Sequence, residues 1–147
     1  MNILITGVAG FIGFNFASFF LKKGNKVCGI DNFDKYYSVG LKKKRISILK
    51  QKKNFFFDKI DIVNKNRLSN YFKNKKIDII IHLAAQAGVR YSFEDPQKYI
   101  EVNIFGFLNL IEEAKKNKIK KIIYASSSSA YGESKNFPLK ESEILNP

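Results

Sequence analysis

The amino-acid sequence predicts an α/β fold built on a doubly wound parallel sheet. Short apolar, β-branched runs alternate with longer helical patterns, the runs are apolar almost throughout, and a glycine-rich turn follows the first run. Such alternation is typical of βαβ units, and continuous apolar runs are typical of strands that are covered on both faces.

The predicted elements alternate along the whole chain. Strands are expected at residues 2–6, 26–31, 54–60, 78–83 and 120–125, and helices at 11–23, 41–50, 64–74 and 96–117. In the last helix, apolar residues recur at every third position from Tyr99 to Ala114, and Pro96 stands where a helix start tolerates proline. We expect the strand order 3-2-1-4-5, with a ligand at the switch point between strands one and four.

Length and composition restrict the class of protein. The 147 residues allow one domain with a core, so residues 1–147 are expected to form a single domain. No run approaches the roughly 18 apolar residues of a membrane span, and the N-terminus does not resemble a secretory signal. Cys28, the single cysteine, favours a reducing cytoplasm. We expect no metal, because the single histidine, His82, has no partners at zinc-ligand spacing.

The net charge of +13 raises the question of nucleic acid. Only Arg45, Arg67 and Arg90 among the 26 basic residues are arginine, and the lysines are spread along the chain. We therefore expect no nucleic-acid partner. The same positive field would serve an anionic small-molecule ligand.

A glycine-rich turn follows the first predicted strand, in the sequence Gly7-Val8-Ala9-Gly10-Phe11-Ile12-Gly13. Glycine permits positive φ and lets backbone N–H groups approach a ligand closely. The helix that follows points its positive end at a bound pyrophosphate. The turn therefore predicts a dinucleotide site, although its spacing differs from G-x-G-x-x-G.

An acidic residue, Asp31, ends the second predicted strand. A carboxylate at this position hydrogen-bonds the adenosine ribose hydroxyls and repels the 2′-phosphate of NADP. Since no arginine adjoins it in the sequence, we predict that the cofactor is NAD.

Several further motifs resemble the extended short-chain dehydrogenase/reductase superfamily, which contains the NAD-dependent epimerases and dehydratases of nucleotide sugars. The matches begin at residues 6–13 and continue, in order and spacing, with Asp61-Ile62, residues 82–85, Asn103 with Gly106, and residues 125–132. They cover essentially the whole chain. The resemblance implies a Rossmann-type NAD-binding domain whose sheet stops after the fifth strand, with a C-terminal substrate domain outside this chain.

Within the superfamily, residues 31–37, 84–92 and 126–132 resemble the UDP-glucuronate 4-epimerase group, as do Leu41, Lys42 and Arg45. The resemblance implies an enzyme that oxidises the sugar C4 hydroxyl with tightly held NAD⁺ and returns hydride to the opposite face of the 4-keto sugar. It suggests a role in surface polysaccharide synthesis. Alternatives are a UDP-glucose 4-epimerase, a dTDP-glucose 4,6-dehydratase, or a non-catalytic NAD-binding module.

The resemblance also assigns site residues. Ser127 matches the catalytic hydroxyl, although a solvated loop is the alternative for this run of serines. Ser127, Ser128 and Arg90 are expected on the substrate side, with a surface salt bridge as the alternative for Arg90. The expected cofactor contacts are Gly7, Gly10, Phe11, Ile12, Gly13, Asp31, Asn32, Asp61, Ile62, Leu83, Ala84, Ala85, Ala87 and Asn103.

The catalytic base of the superfamily is a tyrosine in a Tyr-x-x-x-Lys pair, which puts both side chains on one helix face. The chain contains Tyr71…Lys75 and Tyr131…Lys135. We interpret both as chance, because the first lies away from the expected ligand edge and Gly132 interrupts the second. The true pair is expected beyond Pro147. The complete protein is expected to be a homodimer, and this chain alone to be inactive.

Overall fold

A computed structural model describes residues 1–73, 75–133 and 137–147. Its centre is a five-stranded parallel sheet in the order β3-β2-β1-β4-β5, which confirms the predicted order. The first two strands have the predicted bounds, and the other three are shorter by one or two residues at each end. The strands are β1 (Asn2–Thr6), β2 (Lys26–Asp31), β3 (Phe55–Lys59), β4 (Ile79–His82) and β5 (Ile122–Tyr124).

Three helices connect the strands close to their predicted positions: α1 (Phe11–Lys22), α2 (Val39–Lys50) and α3 (Lys65–Lys73). Helix α2 begins two residues earlier than predicted, because Ser38 Oγ accepts a hydrogen bond from the Leu41 amide and caps the helix. The predicted end of α3 at residue 74 lies outside the described residues. No helix within the described ranges is long and apolar enough to cross a bilayer.

The predicted helix at 96–117 is helical throughout but not uniform. Its parts are α5 (Pro96–Tyr99), a π-helix (Ile100–Gly106) and α6 (Phe107–Lys116). A short helix that was not predicted, α4 (Tyr91–Glu94), precedes them. The Asp95 side chain accepts from the Lys98 amide and starts α5. π-Turns inside helices frequently occur at functional sites.

The two faces of the sheet have separate cores. On β1, Leu4 faces a core that contains Leu68 and Phe72 of α3 and Leu110 of α6. Its neighbours Ile3 and Ile5 face the other core, which contains residues of α1 and α2. Because side chains alternate along a strand, β1 is buried on both sides, and helices on both faces confirm the doubly wound class.

The last helix and strand β5 both keep exposed apolar side chains. In the three-residue repeat of the last helix, Phe105 and Leu108 are about half exposed, while Leu110 is fully buried. A repeat of three drifts around a helix of 3.6 residues per turn, and the π-helix shifts it further. Strand β5 is not covered on both faces either, since Ile123 is 50% and Tyr124 is 61% exposed.

Candidate cofactor site

The glycine turn forms a tight bridge between β1 and α1. Gly7 has φ +68°, and a Cβ there would lie 2.8 Å from the backbone of Leu83 and Ala84. A Cβ on Gly13 would lie 2.3 Å from the Gly7 carbonyl oxygen, so glycine is required where the helix meets the turn. At Gly10 the nearest atom to a Cβ is 3.1 Å away. Among these three glycines, Gly10 is therefore the position where the protein itself leaves the most room for a Cβ.

One cleft opens at the carboxyl ends of β1, β2 and β4, with a volume of about 680 Å³. This size lies within the range of small-molecule sites. The cleft faces the N-terminus of α1, where the first backbone N–H groups lack partners within the helix. Among the predicted cofactor residues, those lining it are Gly7, Gly10, Phe11, Ile12, Gly13, Asp31, Asn32, Asp61, Ile62, Leu83, Ala84, Ala85 and Ala87.

Asp31 is fixed at the edge of this cleft and is 7% exposed. Its Oδ2 accepts a hydrogen bond from the Ala9 amide at 3.1 Å, and its Oδ1 accepts from the Phe33 amide at 2.8 Å. A carboxylate offers about four acceptor positions. Two therefore remain for ligand hydroxyls, and the backbone bonds hold the carboxylate in place for them.

A pair of polar side chains joins the ends of β2 and β3. Asn32 Nδ2 donates to Asp61 Oδ2 at 2.9 Å, and Asp61 Oδ1 accepts from the Val63 amide. The π-helix packs tightly behind this pair, because a Cβ on Gly106 would lie 2.7 Å from Ile62 Cγ1. These contacts make a firm wall at the end of the cleft beside Asp31.

Thr6 and His82 join the glycine turn to the turn after β4. Thr6 Oγ1 lies 2.7 Å from His82 Nδ1 and accepts from the Leu83 and Ala84 amides at 3.1 Å each. The ring of His82 stacks on Phe107 at a centroid distance of 4.9 Å. Burial lowers the pKa of His82 to about 4. His82 is therefore a packed residue at the end of β4.

Asn103 makes a contact different from the one predicted. Its Oδ1 accepts from the Gln86 amide at 2.8 Å, and its Nδ2 donates to the Gln86 carbonyl oxygen at 3.1 Å. The side chain thus fixes the backbone of the loop after β4, and Gln86, not Asn103, lines the cleft. Its neighbours Ala85 and Ala87 are among the cofactor contacts predicted from the sequence, but Gln86 is not.

Two basic side chains that the sequence does not place beside Asp31 also line the cleft. Arg45 and Lys42 both come from α2. Arg45 Nη1 donates to the Ala9 carbonyl oxygen at 3.2 Å, and its guanidinium lies over the Phe11 ring. Asp31 thus has no arginine beside it in the sequence but shares the cleft with Arg45. The helical spacing of Lys42 and Arg45, three residues apart, is the signal that would have found them.

The predicted substrate-side residues lie at or beyond the rim. Ala125 lines the cleft, and Ser127 follows two residues later at the start of a 3₁₀-helix (Ser128–Tyr131). Ser127 Oγ accepts from the Ser129 amide at 3.2 Å and is exposed, as is Ser128. Arg90 is also exposed, just before α4. The described cleft lining includes none of these three side chains.

Neither Tyr-x-x-x-Lys match supplies a base to the cleft. Tyr71 lies in the core beneath α3 and is 7% exposed. Burial, with smaller effects of Cys28 and Asp58, raises its pKa far above the ordinary value for tyrosine. Tyr131 lies in the 3₁₀-helix, and its partner Lys135 is outside the described residues. No cluster of three or more possible metal ligands occurs in the part of the chain that the structure describes.

A strand–glycine turn–helix unit facing an acidic strand end defines a dinucleotide-binding domain. The family described as "GDP-mannose 4,6 dehydratase" matches residues 4–147. The chain belongs to this family, which agrees with the predicted superfamily of NAD-dependent epimerases and dehydratases.

Similar proteins include nucleotide-sugar 4-epimerases. The chain is 48% identical over 128 residues to the UDP-glucuronate 4-epimerase of Thermodesulfobacterium geofontis, covering 87% of this chain and 40% of that protein. It is 38% identical to the Bacillus cereus UDP-glucuronic acid 4-epimerase solved with UDP-glucuronic acid and NAD. The TM-score is 0.87, with 100% of this chain and 46% of that chain covered.

A third similar protein has a different sugar specificity. The Bifidobacterium longum UDP-glucose 4-epimerase, solved with NAD⁺ and UDP, is 30% identical with a TM-score of 0.83. The alignment covers 99% of this chain and 43% of that one. The chain thus spans less than half the length of these relatives, and both structures contain the cofactor that the sequence predicts.

Proposed function

We propose that this chain is the NAD-binding part of a nucleotide-sugar 4-epimerase, which at full length converts UDP-glucuronate to UDP-galacturonate. The observation that carries the proposal is the convergence of the glycine turn, Asp31 and the turn after β4 on one cleft. One similar protein solved with NAD and UDP-glucuronic acid, and another solved with NAD⁺ and UDP, support both ligand classes.

The cleft residues fit NAD. The free N–H groups at the start of α1 suit the pyrophosphate, and the turn has no side chain at Gly10 to block its approach. The two remaining acceptor positions of Asp31 suit the adenosine ribose hydroxyls. Asn32, Asp61 and Ile62 would lie along the adenine. When bound, NAD supplies a reversible acceptor for the hydride of the sugar C4 carbon.

We expect the residues after β5 to contact the sugar. Since Ala125 lines the cleft and Ser127 follows it at the rim, the Ser127 hydroxyl is suited to hydrogen-bond the sugar C4 hydroxyl. The base that accepts the C4 proton would come from sequence outside this chain. General-base catalysis typically contributes about 10²–10⁴-fold to a rate, so we expect residues 1–147 alone to show no turnover.

UDP-glucuronate is the proposed substrate because the relative with the highest of these TM-scores was solved with UDP-glucuronic acid. Arg90, exposed beside the loop after β4, is suited to pair with the sugar carboxylate or a phosphate. UDP-glucose is the second candidate, favoured by the B. longum relative. The family to which the chain belongs is named after a dehydratase. The product must therefore be identified to distinguish epimerisation from dehydration.

The full-length protein should be incubated with NAD⁺ and either UDP-glucuronate or UDP-glucose, and the products separated by chromatography. UDP-galacturonate from the first substrate, with little product from the second, is expected. Ser127→Ala should lower kcat strongly and leave NAD binding unchanged, while Ser47→Ala, at an exposed serine of α2 outside the cleft lining, serves as the matched control. NAD binding without turnover of either sugar would indicate a non-catalytic NAD-binding module.

The proposed assembly of the full-length protein is a homodimer in the cytoplasm. A second copy would cover the exposed apolar side chains Ile104, Phe105 and Leu108 on the π-helix and α6. A free cysteine, Cys28, is compatible with a reducing compartment. Light scattering of the full-length protein and of its Leu108→Lys variant tests the assembly, since the variant should give monomers.

A further inference from the structure

Two loops meet across the carboxyl end of the sheet. Residues 32–38 follow β2, and residues 83–99 follow β4 and include α4 and α5. Since β1 lies between β2 and β4, a contact between these loops spans the carboxyl end of β1. The contact has two parts, an ion pair and a cluster of tyrosines.

The ion pair joins Asp34 of the first loop to Lys98 of α5. Lys98 Nζ lies 2.7 Å from Asp34 Oδ2, and each side chain is 26% exposed. The other carboxylate oxygen accepts from the Tyr36 amide at 2.8 Å. Burial alone would raise the pKa of Asp34, but hydrogen bonds from Lys98 and the Tyr36 amide hold it below the ordinary value. Asp34 therefore stays charged at neutral pH.

The tyrosine cluster holds the same two loops together beside the ion pair. The Tyr36 ring lies 5.1 Å from the Tyr91 ring. The Tyr36 hydroxyl occupies the space above Gly88, where φ is +102° and a Cβ would come within 2.0 Å of that oxygen. Tyr99 Oη lies within hydrogen-bond distance of the Ala87 and Gly88 carbonyl oxygens. Gly88 thus admits Tyr36 because it has no side chain.

The ion pair lies between two cavities. Asp34 lines the cofactor cleft of about 680 Å³ and also a smaller polar cavity of about 360 Å³. Lys98, Asp95 and Glu101 line only the smaller one. Asn32, Asp61 and Val102 line both. Separation of Asp34 from Lys98 would therefore open the cofactor cleft toward the smaller cavity at the end beside Asp61.

We infer that the Asp34–Lys98 pair and the Tyr36–Gly88 contact form a clasp, and that its opening limits the exchange of the cofactor. This rests on the proposed binding of NAD in the cleft. Asp34 lines the cofactor cleft and Lys98 lines the adjoining cavity, so separation of the pair widens the cleft beside Asp61, and a wider cleft serves the entry and the departure of a dinucleotide alike. A clasp of this kind changes the association and dissociation rates together and leaves the Kd nearly constant.

The experiment uses the full-length protein and measures both rates by stopped flow with NADH fluorescence. Lys98→Met removes the charge, and Tyr36→Ala removes the ring above Gly88. Neither residue lines the cofactor cleft. Lys75→Met is the matched control, because Lys75 pairs with Asp58 at 3.7 Å and neither lines the cleft. Partly exposed ion pairs contribute up to about 1 kcal/mol, which corresponds to about fivefold in rate.

We expect both rates to rise about fivefold in Lys98→Met, with Kd changed less than twofold, and to rise further in Tyr36→Ala. Lys75→Met should match the wild type. A faster dissociation alone, with weaker Kd, would overturn the clasp, because Lys98 would then support binding and not gating. Unchanged rates in both variants would also overturn it. If the wild type binds no NADH at all, the proposed function fails, which is a separate and recognisable result.

Discussion

Thr6 Oγ1 and His82 Nδ1 lie 2.7 Å apart in the buried centre of the sheet, at the carboxyl ends of β1 and β4. The Thr6 oxygen also accepts from the Leu83 and Ala84 amides. A hydroxyl has two acceptor positions and one proton, so the proton must go to His82. His82 is therefore neutral, with its own proton on Nε2, and Thr6 connects the glycine turn to the turn after β4.

Replacing Thr6 with valine should destabilise the protein by about 2–3 kcal/mol. The substitution preserves shape but leaves the His82 nitrogen without its donor and the Ala84 N–H without its acceptor, while the Leu83 N–H keeps the Thr6 carbonyl oxygen at 3.2 Å. Each unpaired buried group is costly. Urea unfolding followed by circular dichroism measures the change. Thr6→Ser keeps the hydroxyl and should recover most of the stability; equal losses in both variants would show that the methyl group matters as much as the hydrogen bonds and would contradict this prediction.

The stability of the fold should fall as the pH is lowered from about 6.5 toward 4. The pKa of folded His82 is about 4, against an ordinary value of 6.5, so in this interval the unfolded chain binds a proton that the folded chain excludes. The loss approaches about 3 kcal/mol near pH 4 and grows no further below it. Unfolding at pH 7 and 4.5, compared with His82→Asn, isolates this residue; an unchanged pH dependence in the variant would exclude it as the cause.

Changing Asp31 to serine should shift cofactor preference toward NADP. The carboxylate repels a 2′-phosphate, and once it is removed Lys42 and Arg45, which line the same cleft, can attract one. Titration calorimetry of NAD and NADP should give at least a tenfold change in their affinity ratio. Tight NADP binding by the wild type would contradict the ribose role of Asp31.

Gly10 and Gly13 should respond differently to the same substitution. Gly13→Ala places a Cβ 2.3 Å from the Gly7 carbonyl oxygen and should lower thermal stability by several degrees. Gly10→Ala has a nearest contact at 3.1 Å, so we expect a small change in stability and a loss of NAD affinity. Thermal melts and calorimetry on both variants separate these effects. If Gly10→Ala leaves NAD affinity unchanged, the turn is structural only.

The strand order and most of the cleft follow from patterns that are local in the sequence. Each strand is an apolar run, and Gly7, Asp31 and Asp61 each stand directly after or at the end of one, so the sheet brings them together. Contacts between loops are different. The spacing of Lys42 and Arg45 puts them on one helix face, but that this face meets the cleft depends on the packing of α2. Asn103 bonds Gln86 across 17 residues, and that contact leaves no local pattern. The exposure of β5 likewise depends on what packs beside it.

The last prediction concerns residues 1–147 expressed by themselves, which we expect to self-associate. Ile123 is 50% exposed on the edge strand β5, and Phe105 and Leu108 are about half exposed on the neighbouring helical surface. An open edge strand pairs readily with another chain, and each Å² of apolar surface left in water costs about 25 cal/mol. The charge of +13 opposes association, but Lys120 and Lys121 stand only at the start of the strand.

Size-exclusion chromatography at increasing concentration, at low and high salt, tests this expectation. Added NAD should raise the melting temperature, because it binds only the folded state. Ile123→Lys places a charge in the middle of the edge and should reduce the associated fraction, while Ile48→Lys, at a comparably exposed isoleucine on α2, is the matched control. A monomer at every concentration, with a sharp melt above about 60 °C, would show that the exposed edge and helical surface do not drive association and that the domain is stable without a cover over them.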